Sequence, residues 1–392
     1  MPRIFFFLCF IALGKGNTPD SLKLEQVLIL GRHNIRTPLT ANFESFSPLP
    51  WPKFNESVAD LTAKGALLES YMAEYIAKCL ERDNLIKGCP NKDEVLIYSN
   101  TRARTRDTAA AFVHGAFPSC NLTVNHQDNI DISDPVFHPV IHNETSYFKQ
   151  QVIEEMEKKL NESDLSEAYL ELNRILDLKD SEACNKKSLC DLSEIQTKVV
   201  YKVGEEPDVS GRLNIGTSIV DAFIMSYYEG FPIEEVAWGK ITTQEQWKLL
   251  SNVIKLDQNV RFKSTSGSRD YAAPLVNYMF DIFRRGNPKL TVLVGHDSNI
   301  NSVLSALDFK DFELENQFEP YPIGGKIMFQ KWSDDENSFL KVEYVYQTSL
   351  QLRNAEKSSM AQPPKKVLLQ LKDCEIDEYG FCPWSDFVNL RD

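Results

Sequence analysis

Gly31-Arg32-His33-Asn34-Ile35-Arg36-Thr37-Pro38 brings two guanidiniums and an imidazole close together in the chain. A guanidinium is a planar fork of donors suited to phosphate or carboxylate, and a histidine between two of them is a potential nucleophile toward a bound anion. The apolar run Val27-Leu28-Ile29-Leu30 precedes the motif and reads as a buried strand stopped at Gly31. Pro38 prevents simple continuation as a helix or central strand. The charges therefore fall on a tight turn at the C-terminal end of a strand, the edge where open α/β sheets bind ligands. Taken alone, such a motif fits a solvated surface turn equally well.

Two later stretches repeat the arrangement. The apolar run Val95–Ser99 leads into Asn100-Thr101-Arg102-Ala103-Arg104-Thr105-Arg106, with three arginines at alternate positions before an Ala-rich helix. A helix N-terminus favours anions, so cations gathered there fit an anion shared among them. The run Leu290-Thr291-Val292-Leu293-Val294 ends in Gly295-His296-Asp297-Ser298-Asn299, followed by the helical spacing Ile300, Val303, Leu304, Leu307. His296-Asp297 alone could be a helix cap. Three strands far apart in sequence, each ending in polar residues, point instead to one anion site at a shared sheet edge.

With these motifs the chain resembles the histidine acid phosphatases, which carry Arg-His-Gly-x-Arg-x-Pro, a downstream Arg-Thr and a late His-Asp pair. Arg32, His33, Arg36 and Pro38 match the first motif, Arg104-Thr105 the second and His296-Asp297 the third. The resemblance spans most of the mature chain and extends to the secreted enzymes of insect venom and saliva, and to prostatic and lysosomal ones. It implies an α/β fold with a Rossmann-like three-layer core of the phosphoglycerate mutase-like type and an inserted, mostly helical cap. It also implies that His33 attacks phosphorus to form a phosphohistidine, while Arg32, Arg36, Arg104 and His296 hold the phosphoryl oxygens. Asp297 would protonate the leaving alkoxide and then act as base on water. The positive cluster should lower the pKa of His33 and Asp297 must be protonated, so an acid optimum is expected.

One residue departs from the pattern: Asn34 stands where the family has glycine. Asn is the next best residue for a left-handed backbone, so the turn should survive, with a side chain beside the nucleophile that narrows the pocket or supplies a donor. Arg106 has counterparts in the phytase-like branch and is a further candidate, whereas Arg102 reads as a solvated edge residue. The resemblance pairs Cys89 with Cys120.

These residues need elements to carry them. The 392-residue chain can bury a sizeable core, and its length suits two domains or one with a large insertion. Residues 1–16 read as a secretory signal, basic then apolar and too short to span a bilayer. Residues 17–125 and 266–392 read as the α/β catalytic domain, and 126–265 as a helical cap insertion. Helical patterns run near 148–177, 214–228, stopped by Gly230, and 243–256, with another around 271–283 feeding the third strand. Segments 327–331 and 340–346 look like a hairpin, and 358–366 like an exposed linker. His126, His138 and His142 lie in a Pro-containing loop and read as surface or packing residues.

Composition narrows the partners. Apolar residues make up 42% and charged residues 25%, ordinary for a soluble globular protein. A net charge of −13 argues against nucleic acid or an anionic membrane, so the five arginines 32, 36, 102, 104 and 106 must concentrate positive charge locally. Small phosphate monoesters are the expected substrates. No transmembrane anchor is expected, and whether two copies pair is left open. No cofactor and no metal is expected, since no Cys-x-x-Cys or His cluster has ligand spacing. Cys184 with Cys190 and Cys374 with Cys382 look like local disulfide pairs, leaving Cys79 on an apolar helix face as a buried thiol. Sequons at Asn55, Asn121, Asn143 and Asn161 fit a secreted destination, with the lysosome as the lesser alternative.

Three functions compete. The favoured one is a secreted acid phosphatase with broad monoester specificity. A phytase or inositol-polyphosphate phosphatase would want a more basic pocket rim and is the runner-up. A secreted binding protein on an inactive scaffold is motivated by Asn34, but every residue with a chemical role is present.

Overall fold

The structure, a computed structural model, describes residues 21–391. The expected leader at 1–16 lies outside them. The central sheet is built on β1 (Lys23–Arg32), β2 (Val95–Ser99) and the short β3 (Val124–Asn125). A small hairpin, β4 (Lys198–Val200) and β5 (Asp208–Ser210), forms a separate two-stranded sheet. The main sheet is completed by β6 (Leu290–Gly295), β7 (Lys326–Ser333), β8 (Ser338–Tyr346), β9 (Lys365–Leu369) and β10 (Cys382–Pro383). Its order is β10-β8-β7-β1-β6-β2-β3, with β9 also on β8. The four strands β1, β6, β2 and β3 are parallel, and β7 and β8 form the expected antiparallel hairpin beside them.

Helices cover both faces. They are α1 (Ala63–Arg82), α2 (Ala103–Ala116), α3 (Ser146–Asn161), α4 (Ser166–Leu176), α5 (Glu182–Lys187) and α6 (Arg212–Glu229). After them come α7 (Gln244–Phe262), α8 (Thr265–Tyr271), α9 (Ala273–Arg285), α10 (Asp297–Ala306), α11 (Ser349–Arg353) and α12 (Trp384–Val388). Successive β1 side chains point to opposite faces. Val27 and Ile29 pack with Met72, Ile76 and Phe112 of α1 and α2, whereas Leu28 and Leu30 pack with Met279, Phe283 and Ile300 of α9 and α10. A near-continuous apolar strand is what burial on both faces requires, and the α/β core is three layers deep.

Between β3 and β6 the chain is mostly helical. α6 and α7 pack against α3 and α4 around Leu172, Phe223 and Val253. The single pattern near 148–177 is two helices, and the β4–β5 hairpin between α5 and α6 gave no periodic signal. Gly230, with positive φ, caps α6 as its position suggested. Trp247 of α7 stacks on Phe318 at 4.5 Å, joining this region to the loop before β7.

Disulfides join Cys89 to Cys120, Cys184 to Cys190 and Cys374 to Cys382, and Cys79 is a buried free thiol. Among the described residues no helix is long and apolar enough to cross a membrane. Asn55, Asn121 and Asn161 are exposed, and Asn143 is half-buried.

Candidate active site

Parallel pairing aligns the three motif strands at their C-terminal ends. Arg32 is registered with Gly295, and Ser99 with Val294. The ladder continues into the loops: the His33 N–H donates to Gly295 O at 3.0 Å, and the Asn100 N–H to Val294 O at 3.0 Å. α2 and α10 start directly from these ends, so both helix N-termini face the same place. α1 clamps the turn from the other side. Ile35 O accepts the Thr62 N–H at 2.9 Å, and a side chain at Gly65 would come within 2.3 Å of that carbonyl.

His33 is 3% exposed, and its Nδ1 lies 2.9 Å from the backbone oxygen of Asn34. A carbonyl only accepts, so Nδ1 carries the proton and the Nε2 lone pair is free to attack. Burial, followed by Arg104, His296, Arg32 and Arg36, pushes the His33 pKa well below its ordinary value. The ring stays neutral, hence nucleophilic, in acid.

Asn34 does not behave as expected from its sequence position. It has no positive φ, and its side chain turns away from the cleft. Nδ2 donates to Glu69 Oε2 at 3.1 Å, and Oδ1 accepts the Ile35 N–H at 2.9 Å. Glu69 is fully buried and paired with Lys326 at 2.8 Å. The side chain therefore supports the turn from behind, and neither narrows the pocket nor supplies a donor to it.

The cations differ in their partners. Arg32 Nη1 donates to Glu319 Oε1 and Tyr321 O, both at 2.6 Å, and Nη2 lies 3.1 Å from Asp297. Burial alone would lower the Arg32 pKa, but Asp297 and Glu319 hold it above the ordinary range. Arg36 makes a two-bond fork with Asp221 of α6, 2.9 Å for each bond. Arg104 has no ion-pair partner within reach among the described residues. Burial and then Arg36 push it down to about 9, so it remains a cation without an anion. Its Nη2 is 3.5 Å from His296 Nδ1, and the His296 and His33 rings are 5.4 Å apart. The Nε–H groups of Arg32, Arg36 and Arg104 are all buried without an acceptor.

Asp297 opens α10, its Oδ1 accepting the Ser298 N–H at 2.8 Å, and 28% of its side chain is exposed toward the cleft. Burial would raise its pKa, but Arg32 and then Arg36 outweigh burial and hold it below the ordinary value. The expectation of a protonated Asp297 therefore does not describe the uncomplexed site.

These groups floor a cleft of about 250 Å³, whose outer wall comes from elsewhere in the chain. Glu206 precedes β5, and Gln258 and Arg261 come from α7. Arg261 lies 3.4 Å from Glu206, 3.4 Å from Asp208 and 3.5 Å from Asp257. Burial raises the Glu206 pKa with Arg261 opposing, and pushes Asp257 up to about 6. Arg102 is exposed, as a solvated edge residue should be, and also lines this cleft, as does His138, while Arg106 does not. Arg102 is the N-cap of α2 with an extended backbone, so helical spacing does not put Arg106 beside it; within the helix Arg104 and Arg106, two apart, face different ways. His126 and His142 also stay outside. A larger, open groove of about 1050 Å³ between α1 and α2 contains none of the motif residues.

Sequence reasoning missed Asn100, Asp221, Glu206, Asp257, Arg261 and Glu319. Asn100 alone had a readable signal, being the first residue past a motif strand.

Residues 23–207 match the family described as histidine phosphatase superfamily (branch 2), a span holding the first two motifs. The chain is 43% identical to a glucose-1-phosphatase of Salmonella typhimurium over 97% of this chain and 94% of that one. It is 26% identical to the phytase AppA of Escherichia coli over 96% and 93% of the two chains. The solved phytase of Citrobacter braakii superposes with a TM-score of 0.85 at 27% identity, covering 94% of this chain and 97% of that one. These relatives are bacterial, which replaces the expected likeness to insect venom, prostatic and lysosomal enzymes and gives glycosylation at the four sequons no support.

Proposed function

The chain belongs to the histidine phosphatase superfamily (branch 2), and we propose that it is an exported acid phosphatase hydrolysing sugar-type phosphate monoesters through a phosphohistidine. The observation that carries this reading is Arg104, a half-buried cation with no carboxylate partner among the described residues, beside a neutral His33 whose Nε2 is free. A phosphoryl group would supply the missing anion and accept from the orphaned guanidinium N–H groups.

The proton balance follows from the same groups. A monoester binds as its monoanion in mild acid, its second pKa being about 6. Asp297, ionised beside Arg32, takes that proton as the phosphate neutralises the arginines around it. His33 Nε2 attacks phosphorus while the P–O bond to the leaving group breaks, and Asp297 gives its proton to the departing alkoxide. Asp297, again ionised, accepts a proton from water as water attacks the phosphohistidine and the P–N bond breaks, then returns it to the phosphate, which leaves as its monoanion with Asp297 ionised and His33 neutral. Acid conditions supply the substrate proton, and His33 does not lose its lone pair there.

The wall favours a sugar over a polyphosphate. Glu206, the carboxylate of this wall that lines the cleft, can accept from hydroxyls and, once ionised, would repel a second phosphate. This agrees with the glucose-1-phosphatase relative, and the phytase relatives keep inositol polyphosphates as the second reading. In our reading residues 126–265 are the cap that supplies this wall, and 17–125 with 266–392 supply the floor. Export is supported by three disulfides and by the leader-like residues 1–16. A panel of glucose 1-phosphate, phytate and p-nitrophenyl phosphate in mildly acidic buffer tests the proposal. Turnover with glucose 1-phosphate above phytate in kcat/KM is expected, the reverse order selects the second reading, and no turnover of any ester rejects both.

A further inference from the structure

Asn100 follows β2 directly and is 3% exposed. Its Oδ1 accepts the Thr101 N–H at 2.7 Å and the Asp134 N–H at 3.5 Å. Its backbone is tied as well, the N–H to Val294 O at 3.0 Å and the carbonyl to Thr105 Oγ1 at 2.8 Å. With the amide oxygen committed to two backbone donors, the amide nitrogen must face the other way. It lies 2.9 Å from Nε2 of His296.

An amide nitrogen can only donate, so Nε2 of His296 is the acceptor. A neutral imidazole then carries its proton on Nδ1. Nδ1 lies 3.5 Å from Arg104 Nη2, which also only donates. Two donors cannot bond to each other, but both can reach one oxyanion. We infer that Asn100 is a positioning residue that sets the tautomer of His296, so that an uncharged ring presents an N–H to the oxyanion that Arg104 also holds.

The surroundings keep the ring uncharged. Burial first, then Arg104, Arg32, Arg102 and Arg36, lower the His296 pKa well below its ordinary value. His33 faces the ring edge-on, and the Asp297 carboxylate is engaged by Arg32 and the Ser298 N–H. No carboxylate pairs with the ring among the described residues, so an amide and not an acid chooses the tautomer. Without Asn100 the proton could move to Nε2, and the bare Nδ1 would then accept from Arg104. The phosphate would lose a ring N–H, and the guanidinium would be drawn away from it.

The direct test is the protonation pattern of His296 in the wild-type enzyme, read by long-range ¹⁵N–¹H correlation on ¹⁵N-histidine protein, with the resonance assigned by its loss in His296→Gln. A proton on Nδ1 is expected, and a proton on Nε2 overturns the inference. Asn100→Ala should give a mixed tautomer. It should also lower kcat/KM for phosphate monoesters and weaken inhibition by inorganic phosphate, each by up to about tenfold, as for one net hydrogen bond. Thr101→Val, which removes a bond to Ile132 O at 2.7 Å, should cost stability and leave the tautomer unchanged. An unchanged Nδ1–H in Asn100→Ala overturns the assignment. If that variant does not fold, the isosteric Asn100→Asp, whose carboxylate can only accept, should place a proton on Nε2, and an unaltered spectrum counts against the inference. The kinetic consequence rests on the phosphatase reading, but the tautomer does not. Protein inactive on all monoesters with Nδ1–H in place would sink only that reading.

Discussion

The floor and the outer wall of the cleft are built on opposite principles. The floor comes from three adjacent parallel strand ends and gathers Arg32, Arg36 and Arg104 around two histidines held neutral by burial and by those cations. The wall comes from β5 and α7 and its neighbourhood, where Glu206, Asp208 and Asp257 surround Arg261. An acidic protein can thus bind an anion if rigid strand ends bear the cations and a more distant region bears the acids. The floor would recognise the phosphoryl group common to all monoesters, and the wall would distinguish what is attached to it.

Substitutions on the floor should remove chemistry, and those on the wall should change preference. The largest effect is expected for His33→Ala, on the order of 10⁶-fold in kcat, as for other enzymes losing a covalent nucleophile. Rapid acid-free quench should trap no phosphoenzyme, and a tenth of wild-type turnover would place the nucleophile elsewhere. Next comes Asp297→Asn. It should lower kcat/KM for glycerol phosphate by roughly 10²–10⁴-fold and hardly affect p-nitrophenyl phosphate, whose leaving group needs no proton. Equal losses for the two esters would mean that Asp297 only positions its neighbours.

On the wall, Glu206→Gln should raise kcat/KM for phytate relative to glucose 1-phosphate by about tenfold through removal of like-charge repulsion. That gain should grow as pH rises through the raised pKa of Glu206, because only the ionised carboxylate repels. A constant ratio across pH would exclude the charge as the cause. The smallest effect concerns stability. Asp257 rises from 3.8 to about 6 on folding, so its contribution is present below pH 3.8 and is lost as pH climbs through 6. Asp257→Asn should therefore match wild type in acid and melt about 2–4 °C higher near neutrality. A difference that did not vary with pH would show that lost packing, not ionisation, controls that position.

The same contrast explains what could be read in advance. Floor residues sit within a few positions of an apolar strand, so Arg32, His33, Arg104, His296 and Asp297 announced both their element and its end. Strand order remained invisible, but parallel α/β rules bring such ends together. Wall residues act through contacts made far along the chain. Asp221 meets Arg36 across 185 positions, from the middle of an apolar helix, with no local pattern to reveal it. Asn34 was misread for the same reason. Its backbone N–H answers to Thr108 of α2 and its side chain to Glu69 of α1, itself held by Lys326 of β7, and none of these is near it in sequence. Arg102, read as a solvated edge residue, is exposed at the N-cap of α2 and borders the cleft, whereas Arg106, proposed by likeness, falls outside the cleft lining.

The fork between Arg36 and Asp221 limits how such enzymes can be recombined. Helix α6 lies in the region that would be exchanged to give a new specificity, yet its carboxylate holds a guanidinium of the turn that bears His33. A transplanted insertion lacking an acid at that helical position would leave Arg36 unpaired, as Arg104 already is. Two adjacent unpaired cations would strain the turn before any substrate arrived. Modular exchange between relatives should therefore tolerate wide divergence in the sugar-facing surface, provided this one helical turn travels with the catalytic half as part of the scaffold.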